Sequence, residues 1–473
     1  MAKLIPIYTW NKGVIMFNKR SNRLSKQPWF QGVLLLCCVV IAMLLANLPF
    51  TKTIYEDILA TNVQLHLFSG NGDVNVLFPR DLTVEKFIND ILMVIFFFTV
   101  GLEIKREISH GELSSPKKAL LPVIAAFGGV IAPALIYTLI NHGTAAGSGW
   151  GIPTATDIAF AVCILSVLGD RVPISLKVFL TALAIADDLI AILVVAIFYG
   201  GSINLGLLAI SFAVIGITLV MRKLGEKTMF PYIVCAIVVW ALFYYSGIHA
   251  TMSGVVMAFL IPSTPRFNKT QYVHKRNHYI EMLNSLDGID DEPFPNGPQK
   301  HCLRKLEDVA HGTMDMSYRV EHALSPWVNF LIMPIFALAN AGVEITDASY
   351  FNVFAYDAVL GSVSMGIFLG LLLGKPLGIT LFSWIAIKLK VGAMPEKANW
   401  AMFFAVACLG GIGFTMSIFV DTLSFGDQTP EIIAQLRNAG KIAVLLGSIC
   451  SGILGSVLIN IVSKISKASK VSE

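Results

Sequence analysis

Charge is scarce in this chain. Asp, Glu, Lys and Arg together make up 14% of its 473 residues, well short of the quarter or so usual in soluble domains. Hydrophobic residues reach 55%, so a soluble enzyme or a nucleic-acid-binding module is not expected, and the lipid bilayer is the expected solvent. Ligand-like spacing is missing as well. The seven cysteines (37, 38, 163, 235, 302, 408 and 450) form no CxxC or CxxH pattern, and six lie in apolar runs. They read as small buried hydrophobes, with neither a disulfide framework nor a zinc site expected. The basic N-terminus leads into an apolar run without a small-residue cleavage site, so that run is expected to stay as a helix rather than leave as a signal peptide.

What the chain has instead is apolar length. Windows of about 20 residues pick out some twelve spans, among them 326–343, 399–420 and 439–462. The connections between them alternate: one set carries most of the Lys and Arg, whereas 50–85, 141–152, 200–203, 344–356 and 421–438 are nearly free of basic residues. The positive-inside rule then puts both termini in the cytoplasm. The expected layout is a cytoplasmic N-terminal extension over 1–29 and transmembrane helices one to eight over 30–262. A cytoplasmic insertion follows over 263–325, then helices nine to twelve over 326–465 and a tail over 466–473. Two alternating runs around SGNGD predict a small β-hairpin near 62–78, outside the membrane. Such a ribbon is suited to pairing with a second copy or to lying on its own subunit. The insertion is polar and mixed in charge, and is expected to be partly helical at best.

Ionisable groups inside the spans are costly and point to function. Asp187 and Asp188 sit in VFLTALAIADDLIAILVVAIFY (178–199), which contains no other charge. Each ionised Asp at the centre of a membrane helix costs about 2.5–3.5 kcal/mol on insertion scales. A pair of them reads as a site for something that replaces water around a carboxylate: a proton, a small cation, or both in turn. Asp157 in IPTATDIAFA and Lys375 in GLLLGKPLGI are also near mid-membrane by count. Asp90 is open between structural pairing and function. His249 reads as a hydrogen-bonded packing residue at a helix start, and Glu103, Arg106 and Glu107 as an interfacial cluster.

Two spans are also interrupted. Pro153 and β-branched Thr154 and Thr156 adjoin Asp157, and Gly410, Gly411 and Gly413 fall within four residues. Such segments favour unwinding, which frees backbone carbonyls and amides in the bilayer. Half-helices meeting end to end carry roughly half a charge at each broken terminus. Asp157 is placed to neutralise the exposed N-termini and Lys375 the facing C-termini. Gly366, Gly370 and Gly374 form a GxxxGxxxG face leading to Lys375, suited to close helix contact.

Seven motifs in order, GLEIKRE (101–107), TATDIAFA (154–161), LAIADDL (183–189), SGIHAT (246–251), FALANAGV (336–343), GKPLGI (374–379) and GIGFTMSIF (411–419), carry a resemblance to the NhaA-type sodium/proton antiporters. It spans roughly 28–465. The resemblance implies an all-α polytopic membrane protein of about twelve helices, built of inverted repeats with two broken helices crossing at mid-membrane. That architecture is the established one of the family, not a product of the glycine spacing. It further implies electrogenic, pH-regulated exchange of cytoplasmic Na+ or Li+ for external H+ across a bacterial inner membrane. No cofactor and no nucleic acid are implied, and a homodimer through the hairpin is compatible with it. By motif, Asp187 and Asp188, with Thr156, would bind the cation and protons, and Asp157 and Lys375 would compensate helix termini. Glu103, Arg106, Glu107, Glu321 and His322 would fall in the pH-response region.

The chain departs from short members in its longer N-terminus, its longer connection over 50–84 and its insertion of about fifty residues over 263–320, which lands beside Glu321 and His322. Ser325 stands where some members carry a further His. Other classes fit less well. An intramembrane aspartyl protease needs two carboxyls sharing a proton about 3 Å apart, whereas neighbours i and i+1 on a helix diverge. A cation channel would use a ring of acids rather than asymmetric acids with one buried Lys.

Overall fold

The computed structural model describes residues 28–63, 66–69, 72–75, 82–201, 203–286, 295–345, 352–356, 361–426 and 428–471. In chain order the helices are α1 (Pro28–Asn47), α2 (Lys52–Ala60), α3 (Val84–His110), α4 (Pro116–Asn141), α5 (Ile158–Leu168), α6 (Ile174–Phe198), α7 (Leu205–Lys223), α8 (Phe230–Ser246) and α9 (Thr251–Leu260). They continue as α10 (Lys269–Ser285), α11 (Gly297–Thr313), α12 (Met316–Asn340), α13 (Val363–Lys388), α14 (Trp400–Leu409), α15 (Phe414–Leu423) and α16 (Pro430–Val471). Among the described residues eight helices are long and apolar enough to cross a membrane. Two further helix pairs pass the same test together but are sharply bent, raising the number to ten. This is a multi-pass membrane protein built almost wholly of helices. Two short strands, His66–Ser69 and Gly72–Asn75, pair antiparallel with His66 opposite Asn75. The expected N-terminal extension, up to residue 27, lies outside the described residues.

Several expected boundaries move. Helix α12 begins at Met316, ten residues before the expected start at 326 (residues 316–325), because Asp315 caps it by accepting from Tyr318 N at 3.0 Å. The insertion holds two 17-residue helices, α10 and α11, rather than partial ones. Both start with a capping box, Asn268 with Gln271 and Asn296 with Gln299, each satisfying two end N–H groups reciprocally. They pack on each other, and Arg266 N and Phe267 N both donate to Gly312 O, closing the base of the insertion.

The chain forms two compact units. One comprises residues up to Met93, Glu107–Gly201 and Asn329 onward; the other comprises Val94–Arg106 and Ser202–Val328. In the first, α13 lies along α4 with almost nothing between the backbones. A Cβ on Gly378 would come within 2.1 Å of Gly128 O, and one on Gly374 within 2.9 Å of Pro133 Cα. The glycine stripe of α13 therefore extends one turn past Lys375 and replaces side-chain packing with direct backbone approach. In the second unit Leu102, Tyr232, Ala258, Ile261, Met316 and Val320 form a buried cluster. Lys105 of α3 is buried beside it, and its ammonium donates to Ala258 O, Phe259 O and Ile261 O at the end of α9. A cation there satisfies carbonyls that the helix leaves unpaired.

Candidate functional site

The first unit contains two broken spans. A 3-10 helix, Ala145–Thr154, bends by 41° into the segment beginning with α5, and α14 bends by 51° into α15. The links are extended or turn-like over 155–157, just past Pro153 in the 3-10 helix, and over 410–413, where the three glycines fall. The two breaks meet each other. Asp157 N donates to Ile412 O at 2.7 Å, Thr156 Oγ1 to Gly410 O at 2.8 Å, and Ser417 Oγ to Ile152 O at 2.7 Å. Each break therefore satisfies groups that the other leaves without helical partners, which the bilayer requires.

Asp157 works as a double cap. Its carboxylate accepts from Phe160 N at 3.3 Å at the start of α5, and from Thr415 N at 3.1 Å and the Thr415 hydroxyl in the first turn of α15. Ser448 accepts from Gly413 N and Phe414 N at 3.2 and 3.1 Å. An anion between two helix N-termini opposes both dipole ends at once.

Lys375 does something different from the expectation. Its ammonium donates to the Asp187 carboxylate and the Thr156 hydroxyl rather than to the freed carbonyls. The carbonyls of the breaks are taken by Thr156 and Ser417 instead. The reason is electrostatic: a wholly buried ammonium gains more from a carboxylate counter-charge than from a carbonyl dipole. Thr156 is the link, since its hydroxyl donates a hydrogen bond to Gly410 O and accepts one from the Lys375 ammonium.

The site is dry and polar together. Asp157 and Asp187 are 2% exposed, Asp188 3%, Thr156 1% and Lys375 0%. Asp187 and Asp188 leave α6 about 100° apart; Asp187 pairs with Lys375, and Asp188 also acts on that ammonium. The Asp187 Oδ1 is buried and accepts no hydrogen bond from the protein. Hard oxygens from two carboxylates and a threonine suit an alkali cation or a proton, not a soft transition metal. Among the described residues no three His, Cys, Asp or Glu side chains converge as a metal cluster.

The chain matches the Na+/H+ antiporter 1 family over residues 22–459. It belongs to that family. It is 41% identical over 431 residues to the Na(+)/H(+) antiporter NhaA of Oleidesulfovibrio alaskensis, covering 91% of each chain. It is 39% identical over 437 residues to that of Bacteroides thetaiotaomicron, covering 92% of this chain and 96% of the relative. The NhaA of Escherichia coli O139:H28 is 39% identical over 438 residues, at 92% and 97%.

The remaining sequence candidates of this family member are scattered. In the second unit Arg106 pairs with Glu321 and lies 3.7 Å from Glu103, and His322 stacks on Tyr318 with centroids 5.8 Å apart. Ser325 donates to Glu321 O at 2.7 Å. In the first unit Glu107 accepts from Glu112 N at 3.1 Å, and Asp90 lies in a π-helical turn, Ile88–Leu92. In the second, His249 stands two residues before α9, its carbonyl accepting from Met252 N at 3.0 Å. Two residues that the sequence reading did not single out are the buried Lys105 cap and a buried Asp421 in α15, one residue past the span expected to end at 420.

Proposed function

We propose that this chain is an electrogenic secondary transporter that carries Na+ or Li+ out of the cytoplasm in exchange for external protons. The observation that carries this is the Asp187–Lys375–Thr156 group where α6 faces two crossed, broken spans. Asp187 and Asp188 on α6 hold either the cation or protons. When Na+ takes the Asp187 oxygens, the Lys375 ammonium loses its counter-ion. When Na+ leaves, the ammonium or protons restore neutrality. Two carboxylates leave room for more than one proton per Na+, which moves net charge. Asp157 and Thr156 keep the breaks satisfied while the site changes occupant.

In the proposed topology α8 and α9 also cross, making twelve spans in a bacterial inner membrane with both termini cytoplasmic, as the distribution of Lys and Arg supports. The two-stranded ribbon then lies outside, where it is suited to joining a second copy. Glu103, Arg106, Glu107, Glu321 and His322 lie on the cytoplasmic side and tune activity with pH. The protease reading is disfavoured because Asp157 is committed to two helix starts. A channel is disfavoured by the single Asp–Lys pair within one chain. Dissipation of a sodium gradient against a proton gradient in sealed vesicles tests the proposal; vesicles in which neither ion moves the other would refute it.

Competition at one site sets a pH dependence. Below the pH at which the carboxylates titrate, each competing proton weakens apparent Na+ affinity about tenfold per pH unit, about 1.4 kcal/mol. The apparent Na+ KM is therefore expected to rise steeply from alkaline to neutral pH while the maximal rate changes less. Initial-rate measurements over that range check this, and a flat KM with a collapsing rate would argue for a remote sensor alone.

The insertion is expected to be dispensable for the chemistry. Its base is already closed at Arg266, Phe267 and Gly312, so replacing 268–311 by a short Gly/Ser linker asks little of the chain. Exchange at the optimum pH should stay within about twofold, the scale of neutral surface changes. Complete loss of vesicle transport in a correctly inserted deletion protein would contradict this.

A further inference from the structure

A second buried charge cluster lies away from the crossing, at the far end of α15. Asp421 is 0% exposed, and neither carboxylate oxygen accepts a hydrogen bond. The backbone of α16 is pressed against it: a Cβ on Gly440 would sit 2.1 Å from Asp421 Oδ1. From α16 two cations act on this carboxylate, Lys441 and Arg437. Arg437 donates to Thr422 O, while its Nε is buried without a partner. Glu85 of α3 acts on Lys441. Tyr137 of α4 and Tyr199, just past α6, are the remaining titratable neighbours; Tyr199 bonds toward Ser424 and donates to Ser148 O at 2.8 Å. The other elements packed on α15, the 3-10 helix Ala145–Thr154 and the end of α12 over Met333–Asn340, contain no titratable residue.

We propose that Asp421 is a further proton-binding carboxyl of this protein, an outer station from which external protons pass toward the crossing. This rests on the antiport reading and its topology, in which the 421–438 end of α15 faces outward. Three observations support it. A carboxylate buried without donors costs free energy unless something supplies them. Six residues separate Asp421 from Thr415, about 9 Å of helix rise, and Thr415 already bonds Asp157 at the crossing. The space around the carboxylate also selects the ligand. With α16 backbone against Asp421 Oδ1 and no solvent exposure, there is room for an O–H bond but not for the several oxygens that replace the hydration shell of an alkali ion. A proton from external hydronium needs only a new O–H bond on Asp421, leaving water behind, while Lys441 and Arg437 keep their charges and Glu85 still acts on Lys441. Passage inward breaks that O–H bond and restores the carboxylate.

The test uses full-length protein in oriented vesicles, with pH and Na+ fixed on the cytoplasmic side and pH varied on the other. For Asp421→Asn, exchange at alkaline outer pH should fall about tenfold, equivalent to about 1.4 kcal/mol, and its dependence on outer pH should flatten. The cytoplasmic Na+ KM should stay unchanged, and Asp421→Glu should restore the titration. If the Asn variant fails to fold, Asp421→Ala with Lys441→Met removes both charges together and is read in the same assay. An outer-pH titration like that of the unsubstituted protein, or a raised Na+ KM, overturns the proposal. A failure of antiport itself would show separately, as absence of Na+-driven proton movement in the unsubstituted protein.

Discussion

Asp188→Asn is expected to lower sodium-driven proton movement by at least about 100-fold, or about 2.7 kcal/mol, while the protein still inserts and folds. Asn keeps the size of Asp but loses its charge and its proton. A carboxylate carried at mid-membrane at that cost, in the middle of α6 rather than at a helix start, points to ion exchange. Asp188 is a cleaner target than Asp187, whose replacement strands the Lys375 ammonium. The measurement is acidification of vesicles with a pH-sensitive dye, alongside a thermal unfolding curve in detergent. Near-normal transport by a folded Asp188→Asn protein would sink the assignment of the site.

Lys375→Met should strike stability as well as transport. Removing one member of a buried ion pair leaves the other uncompensated, which costs on the order of 3–5 kcal/mol. Here Asp187 would be left with Thr156 nearby and no cation, 2% exposed in an apolar core. Taking up a proton would relieve part of that cost, but the proton would then hold the site against Na+. The double change Asp187→Asn with Lys375→Met should recover most of the lost stability and none of the transport. A double-mutant cycle on the thermal unfolding free energies separates the pair from its surroundings. A single Lys375→Met protein as stable as its parent would mean the pair contributes little.

The site was legible in sequence to the extent that charge in oil has few bland explanations. Asp187, Asp188, Asp157 and Lys375 each interrupt an apolar run, and glycines and Pro153 mark the breaks. The pairing of Lys375 was not legible, because 188 residues separate it from Asp187 and no local pattern encodes which buried partner a cation finds. Asp421 was lost for a different reason: a hydropathy window closes at the first charge it meets, so the span was ended at 420, three residues short of the end of α15. Lys105 was lost because a cation at a span's edge looks like a loop cation until the facing helix end is seen. The insertion helices were underestimated although their Asn-x-x-Gln capping signals stood in the sequence.

A single turn of α13 carries a consequence for how this molecule tolerates insertions and deletions. Residues Gly370–Gly374, immediately before Lys375, form a π-helical turn within an otherwise α-helical span. Such a turn is one residue longer than the α-turn it replaces, so it absorbs an extra residue without ending the helix. Everything beyond it is rotated by about 100° relative to an uninterrupted helix. Losing any one residue there would restore regular winding and swing either the Lys375 ammonium away from Asp187 or the Gly366 side of the stripe away from α4. The reading frame of this helix, counted in single residues, is thus part of the ion site, and length changes in α13 should be far rarer than substitutions.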